Sequence, residues 1–160
     1  MLHIKILAVG KIKEKYLKEG ITEYSKRLGS YAKLEIIEVE DEPCPDRATA
    51  AEEEKIKQKE AERLLRSVST QDYVIALDIG GKNISSPELA AILADKALSG
   101  QSSIAFVIGG SLGLAKNILR RADFRWSFSR LTFPHQLIRV MLLEQIYRAC
   151  KINKGEPYHK

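Results

Sequence analysis

The spacing of apolar and polar positions predicts strands that alternate with helices along the whole chain. His3 to Val9 and Leu34 to Val39 alternate or run apolar over short stretches, as strands do. Tyr73 to Leu77 and Ser103 to Ile108 are continuous apolar runs, typical of strands covered on both faces. A fifth strand is expected near Phe124 to Phe128.

Apolar residues at three- and four-residue steps predict the helices, at about residues 14–28, 48–66, 87–98, 114–121 and 134–150. Ser85 or Ser86 offers an N-cap for the third of them, followed by Pro87 and Glu88. The second helix has balanced charges and a thin apolar stripe, so we expect it to be exposed and hardly to touch the core. The last is apolar around most of its circumference, which hints at a subunit interface.

This βαβαβαβαβα order, with short connections, predicts an α/β fold with a mainly parallel sheet and helices on both faces. The chain has 160 residues, and we expect a single domain over residues 1–160. Its two cysteines, Cys44 and Cys150, show no metal-ligand spacing, so no metal is expected. No apolar run approaches the roughly 18 residues of a membrane span, and a cytoplasmic protein without membrane contact is expected.

Positive charge is concentrated near the C-terminus. The net charge is +5, and residues 116–160 hold ten lysines and arginines against three acidic residues. The pI is about 9.2. A localised basic face is typical of nucleic-acid binding, whereas an ordinary solvated surface is the alternative that charge alone leaves open.

Two glycine-bearing turns follow predicted strands. Gly109 to Gly113 comes directly after a buried strand and before a helix, where α/β proteins often bind ligands. The segment fits neither a dinucleotide fingerprint nor a P-loop, and it is either a ligand loop or a tight turn. Asp78 to Lys82 is either a second ligand loop or a hairpin-like turn. If both bind a ligand, they predict one crevice between them.

Of the three histidines, His135 and His159 are the candidates for function. His135 begins the last helix, where the dipole disfavours an imidazolium, and it either contacts a ligand or caps the helix. His159 follows Tyr158 in a C-terminal tail that composition alone would leave disordered. An aromatic ring, an imidazole and a cation in that tail also suit contact with RNA.

Several motifs together resemble one family along nearly the whole chain. They are IKILAVGKIKEKY, LDIGGK, FVIGGSLGL, FSRLTFPHQLIRVMLLEQIYRA and the ending KGEPYHK. The chain resembles the small bacterial SPOUT methyltransferases, which methylate N3 of a pseudouridine in 23S ribosomal RNA. The resemblance implies rRNA processing by a homodimer. So small an enzyme has no separate RNA-binding domain, which suggests that it recognises the assembled ribosome. It also implies a C-terminal deep trefoil knot, which ordinary topology rules would not predict.

In that family S-adenosylmethionine is the methyl donor and lies bent within the knot. The resemblance carries its binding site onto Leu77, Gly109, Phe128, Ser129, Arg130, Leu131, Thr132 and Phe133. It also implies that the partner's tail completes the site. As hypotheses for the reaction, His159 accepts the N3 proton, Tyr158 orients or stacks the base, and Arg139 stabilises the imide oxygens.

Binding of RNA phosphates is assigned to six basic or aromatic side chains: Arg130, His135, Arg139, Arg148, Lys151 and Lys154. Two other functions stay open from the residues. One is a non-catalytic RNA-binding or ribosome-associated protein, which would not bind S-adenosylmethionine. The other is an α/β enzyme for small phosphorylated metabolites, which would leave the C-terminal charge unexplained.

Overall fold

The computed structural model describes all residues, 1–160, and contains one five-stranded, wholly parallel sheet of order β2-β1-β4-β3-β5. This confirms the predicted fold class. The strands are β1 (Leu2–Val9), β2 (Ala32–Val39), β3 (Tyr73–Lys82), β4 (Ser103–Ile108) and β5 (Phe124–Trp126). The helices are α1 (Lys15–Leu28), α2 (Ala50–Leu65), α3 (Ser86–Leu98), α4 (Lys116–Arg121) and α5 (His135–Lys154).

Helices cover both faces of the sheet because successive strand side chains point to opposite sides. On one face Ile4, Ile6 and Phe106 pack with residues of α1, α3 and α5. On the other face Leu7 and Val107 pack with residues of α2 and α4. Central strands β1 and β4 are therefore buried on both sides, as the continuous apolar run of β4 predicted.

Local sequence signals set most helix ends. Ser85 accepts a hydrogen bond from the Glu88 N–H, and the Glu88 carboxylate accepts one in return from the Ser85 N–H. This capping box confirms the predicted start of α3. Helix α5 extends to Lys154, one turn beyond the prediction, and ends at Gly155 in the left-handed conformation.

Two predictions about individual elements are wrong. Helix α2 does touch the core, because Ile56, Ala61 and Leu64 are buried. The segment Asp78 to Lys82 is not a hairpin-like turn. It continues β3 through a bulge, so that both Leu77 and Lys82 pair with Trp126 of β5.

None of the five helices is both long and apolar enough to cross a membrane. The carboxyl ends of all five strands lie at the same edge of the sheet because the strands are parallel. Ligands of α/β proteins usually bind at that edge. Residues that follow β3, β4 and β5 are therefore brought together there.

Candidate functional site

Three segments at the carboxyl edge of the sheet enclose a cavity of about 310 Å³. They are the end of β3, the glycine loop after β4 (residues 109–113) and the loop between β5 and α5 (residues 127–134). Cavities of roughly 300–1,000 Å³ with mainly apolar walls are typical of small-molecule sites. The two glycine-bearing segments predicted from the sequence do share one crevice.

The glycine loop folds back on itself at the floor of this cavity. Gly113 donates its N–H to the Gly110 carbonyl at 3.0 Å, and the two residues form an isolated bridge. A Cβ atom on Gly109 would lie 2.7 Å from the carbonyl carbon and oxygen of Gly113. Because that neighbour is backbone, any side chain at Gly109 would force the loop apart.

The bulged end of β3 holds the loop after β5 in place. Ser127 donates its N–H to the Lys82 carbonyl at 3.0 Å, and the Asn83 amide donates to the Ser127 carbonyl at 2.9 Å. A Cβ on Gly81 would lie 2.6 Å from the backbone of Arg125, so glycine permits this close approach. The Arg125 guanidinium also pairs with Asp78, which itself lines the cavity.

The structure brings seven of the eight predicted cofactor residues to the cavity wall: Leu77, Gly109, Phe128, Ser129, Leu131, Thr132 and Phe133. Arg130 is exposed and does not line the cavity. Within the loop, Leu131 donates its N–H to the Ser129 hydroxyl at 3.1 Å. The Trp126 and Phe128 rings lie 4.5 Å apart and form an aromatic wall.

His135 lines the same cavity rather than an outer basic face. Burial lowers the pKa of its imidazole below the usual range, and the positive charge of nearby Arg139 lowers that pKa further. The neutral ring is therefore favoured at pH 7. Its position suits contact with a ligand in the cavity better than the predicted contact with RNA phosphate.

Arg139 is 2% exposed, and its hydrogen bonds are made within the protein. Its guanidinium donates to the Glu38 carboxylate at 2.8 Å and to the Val9 and Gly10 carbonyls at 2.7 Å. Arg139 therefore ties α5 to the ends of β1 and β2. Because Arg139 is buried and hydrogen-bonded within the protein, the structure does not favour the two roles expected for it, contact with an RNA phosphate and stabilisation of the imide oxygens.

The C-terminal tail is ordered against α5. Tyr158 donates its hydroxyl to Glu144 at 3.0 Å, and its ring packs edge-on against Tyr147 at 4.9 Å. Arg148 lies over the Tyr158 ring, and His159 Nδ1 lies 3.2 Å from Arg148 Nη1. No residue of this tail lines the cavity.

The remaining predicted RNA-binding residues differ in whether they form ion pairs within the chain. Arg148 pairs with Glu144, and Lys151 pairs with Glu156 at 2.7 Å. Glu156 and the hydroxyl of Tyr31 raise the pKa of the Lys151 ammonium. Arg130 and Lys154 are exposed and form no ion pair. They are therefore the two of the set best suited to an external anion.

A second, larger groove of about 520 Å³ adjoins the cavity and shares four aromatic or polar residues with it: Trp126, Phe128, Ser129 and Phe133. Its far end is lined by Tyr24 of α1 and by Glu144 and Gln145 of α5. The Ser86 hydroxyl donates to Gln145 at 2.6 Å. Val140 and Met141 of α5 also line it, so the apolar surface predicted on α5 is partly open along this groove.

Sequence reasoning missed the residues that hold others in place. Glu38 receives both Arg139 and the Ile12 N–H, and Glu144 receives Arg148 and Tyr158. The spacing of Glu144 and Arg148, four positions apart on a helix, was the available signal for one of these pairs. Glu38 had no such signal because its partner lies 101 residues away.

Comparisons with known proteins identify the family of the chain. A family model described as "Predicted SPOUT methyltransferase" matches residues 2–159. The chain is 59% identical over 160 residues, covering all of both chains, to a protein of Desulfitobacterium hafniense (strain Y51) named "Ribosomal RNA large subunit methyltransferase H". A Clostridium novyi (strain NT) protein of the same name is 60% identical over 159 residues, covering 99% of this chain and all of its own.

Among solved structures, a tRNA (m1G37) methyltransferase from Aquifex aeolicus superposes with a TM-score of 0.58 at 11% sequence identity. The match covers 99% of this chain and 75% of that protein. A probable methylase family protein from Haemophilus influenzae Rd KW20 superposes with a TM-score of 0.53 at 13% identity, covering all of this chain and 72% of its own. At such identities the likeness concerns the fold alone.

Proposed function

Because the chain belongs to the SPOUT methyltransferase family, we propose that residues 1–160 act as one methyltransferase domain on 23S ribosomal RNA, at N3 of a pseudouridine. Full-length relatives at 59% and 60% identity are named as large-subunit rRNA methyltransferases. The structural observation that most supports the proposal is the convergence of three loops on one cavity at the carboxyl edge of the sheet. We also expect the family's trefoil knot in the C-terminal part.

The cavity suits S-adenosylmethionine as the methyl donor. Its walls combine apolar side chains, such as Leu77, Ile138 and Phe133, with the backbone of two loops. Apolar walls favour an aromatic base, and backbone groups suit ribose and amino-acid polar atoms. Seven of the predicted residues would hold the molecule: Leu77, Gly109, Phe128, Ser129, Leu131, Thr132 and Phe133. When bound, S-adenosylmethionine supplies a methyl group activated by a sulfonium sulfur.

His135 supports a positively charged ligand in this cavity. Its lowered pKa keeps the imidazole neutral near pH 7, so it does not repel a sulfonium or an ammonium group. A protonated His135 would add a like charge beside such a ligand. Arg139 favours the neutral ring and also ties α5, on which His135 lies, to the strand ends. We therefore propose positioning roles for both residues.

The target base needs side chains that contact and orient it, and we propose that these come from outside the cavity wall. An imide nitrogen becomes a good nucleophile only after its proton leaves. We propose that Tyr158 and His159 contact the base and that Tyr158 offers an aromatic face. Since the enzyme mainly has to position two reactants, fixed tail geometry is a large part of what it contributes.

We propose a homodimer because of where one chain's own tail lies. Tyr158 and His159 are anchored at Glu144 and Arg148, whereas the cavity reaches α5 only at His135 and Ile138. Arg148 lies ten positions after Ile138 on the helix, which is a rise of roughly 15 Å. We propose that the partner subunit's tail reaches this cavity and that the apolar surface of α5 contributes to the interface.

Recognition of the ribosome rests on exposed, unpaired cations. Besides Arg130 and Lys154, the exposed residues Lys11 and Lys13 follow β1 at the carboxyl edge. These two lysines lie outside residues 116–160, where the net positive charge of the sequence is concentrated. Such cations bind phosphates in a salt-dependent way. No separate RNA-binding domain accompanies them within residues 1–160, and we propose that the enzyme recognises the assembled ribosome.

Calorimetric titration with S-adenosylmethionine tests the cofactor site. We expect micromolar binding by the wild type and none by Gly109→Trp, because the side chain would collide with the Gly113 backbone. Gly29→Ala is the matched control: it lies at a helix end with an ordinary φ of −55°, and it should bind normally. Binding by Gly109→Trp at wild-type affinity would contradict the assigned site.

Methyl incorporation tests the substrate. Wild-type protein is incubated with labelled S-adenosylmethionine and with isolated 23S rRNA, subunits or whole ribosomes. We expect labelling of whole ribosomes at one pseudouridine and little labelling of bare RNA. Equal labelling of all substrates would contradict recognition of the assembled ribosome. Ribosome binding without cofactor binding or labelling would instead favour a non-catalytic RNA-binding protein.

A further inference from the structure

His159 forms a hydrogen bond with Arg148, and the chemical nature of the guanidinium determines which group donates. His159 Nδ1 and Arg148 Nη1 lie 3.2 Å apart. A guanidinium carries only N–H donors and stays protonated in proteins, so it cannot accept a hydrogen bond. His159 Nδ1 must therefore be the acceptor and must carry no hydrogen. In a neutral imidazole this puts the hydrogen on Nε2.

Arg148 is itself held in place. Its Nε and Nη2 both donate to Glu144 Oε1, at 3.0 and 2.6 Å. The same Glu144 oxygen accepts the Tyr158 hydroxyl at 3.0 Å, and the guanidinium carbon lies 4.7 Å from the centre of the Tyr158 ring. These contacts order both the residue before His159 and the group that faces it.

The other edge of the His159 ring is free. The residue is exposed, and its Nε2 has no hydrogen-bond partner within the chain. A second copy of the protein that presents this tail to a cavity would therefore offer an N–H group there, not a lone pair.

We propose that Arg148 fixes His159 as the Nε2–H tautomer, so that His159 meets the target base as a hydrogen-bond donor rather than as a base. The proposal rests on the proposed function for its substrate, an imide ring with carbonyl oxygens. When the imide N–H proton passes to water, negative charge spreads onto those oxygens. The Nε2–H group donates to one of them and stabilises the anion. The nitrogen of that anion would form a bond to the methyl carbon while the bond from this carbon to the sulfonium sulfur of the methyl donor breaks, which would leave a neutral thioether. Arg148 is a positioning residue.

This assignment differs from the proton-accepting role expected from the sequence. A base at this position would need an unprotonated Nε2 and hence a hydrogen on Nδ1, directed at the Arg148 guanidinium. That arrangement places N–H against N–H and loses the observed hydrogen bond.

Nitrogen NMR of the protein without RNA or cofactor tests the tautomer directly. Long-range ¹H–¹⁵N spectra at pH 8.5, where an ordinary imidazole is neutral, distinguish protonated from unprotonated ring nitrogens. The chain has only three histidines, and comparison with His159→Gln assigns the signals of His159. We expect the Nε2–H tautomer alone in the wild type and a mixture of tautomers in Arg148→Met. An Nδ1–H tautomer, or the same mixture in both proteins, would overturn the proposal.

Activity on ribosomes tests the donor role. Glutamine has an amide N–H that donates but cannot accept a proton, whereas alanine does neither. We expect His159→Gln to retain at least about tenfold more activity than His159→Ala, because loss of one such donor costs up to about 10²–10³ in rate. Equal activity of the two variants would overturn the donor role. An inactive wild type would overturn the proposed function, while the NMR result would still decide the tautomer.

Discussion

Arg139 shows how burial changes the role of a charged residue. Its charge and its place in a motif made it a candidate for contact with RNA or substrate, but neither feature reports whether the side chain is exposed. The structure surrounds it with one carboxylate and two backbone carbonyls, and leaves only its Nε without a partner. Such a residue stabilises the protein because its removal takes a charge-assisted donor from one buried and two partly buried acceptors.

The main effect of substituting Arg139 should therefore be a loss of stability and not a loss of RNA binding. We expect Arg139→Met to lower the free energy of unfolding by roughly 2–3 kcal/mol, since it removes charge-assisted hydrogen bonds from the Glu38 carboxylate and two carbonyls. Urea titration measures the change. Arg130→Met is the control, because Arg130 is exposed and unpaired and its loss should leave stability unchanged. Equal stability of the two variants would show that Arg139 is not a structural link.

His135 predicts a pH dependence. Its pKa is lower in the folded protein than in the unfolded chain, so the unfolded chain binds the proton more tightly. Its contribution to stability is therefore present above the unfolded pKa, roughly 6.5, and is lost as the pH falls. Urea titrations at pH 7.5 and 5.5 should show a smaller loss of stability in His135→Asn than in the wild type. Parallel losses in both proteins would contradict the lowered pKa.

At the scale of elements, the composition of helix α2 explains why its contact with the core was not predicted from the sequence. Its charged residues outnumber its apolar ones, so amphipathic periodicity is weak. A helix on one face of a parallel sheet nevertheless needs only a narrow contact, and Ile56, Ala61 and Leu64 supply it. The bulge in β3 failed to be predicted for another reason. Its glycines suggested a turn, while the pairing of Lys82 with Trp126 depends on a strand more than 40 residues away.

Two leucine substitutions test the packing of α2. Leu64 is 1% exposed, and Leu98, the last residue of α3, is 90% exposed. We expect Leu64→Ala to reduce the free energy of unfolding by about 2–5 kcal/mol and Leu98→Ala to have almost no effect. Thermal or urea unfolding measures both. A negligible change in the free energy of unfolding of Leu64→Ala would indicate that α2 hardly touches the core.

At the scale of the whole molecule, the proposed site needs parts of two chains. This predicts complementation between two inactive variants, Gly109→Trp with a blocked cavity and a truncation that lacks residues 157–160. Random pairing of the co-expressed chains gives half heterodimers, each with one intact site. Activity on ribosomes should then recover to about a quarter of the wild-type level, given one working site in half of the dimers. No recovery would mean that cavity and tail work within one chain.

The sequence by itself determined the order of strands and helices, the parallel sheet and the loops at its carboxyl edge. Hydrophobic periodicity, caps and turns act over a few residues, so the sequence shows them directly. It also carried the family resemblance, since motifs such as FVIGGSLGL and TFPHQ survive as short strings.

Only the tertiary structure decided which of the candidate side chains share a space. In the structure His135 lines the cavity and Arg139 is buried. Arg130 lies outside the cavity, and Arg148 contacts His159. Burial, the pairing of charges and the direction of a hydrogen bond depend on residues distant in sequence. Glu38 and Arg139, for example, meet across 101 positions. No local pattern contains that information, because it arises only when the chain packs.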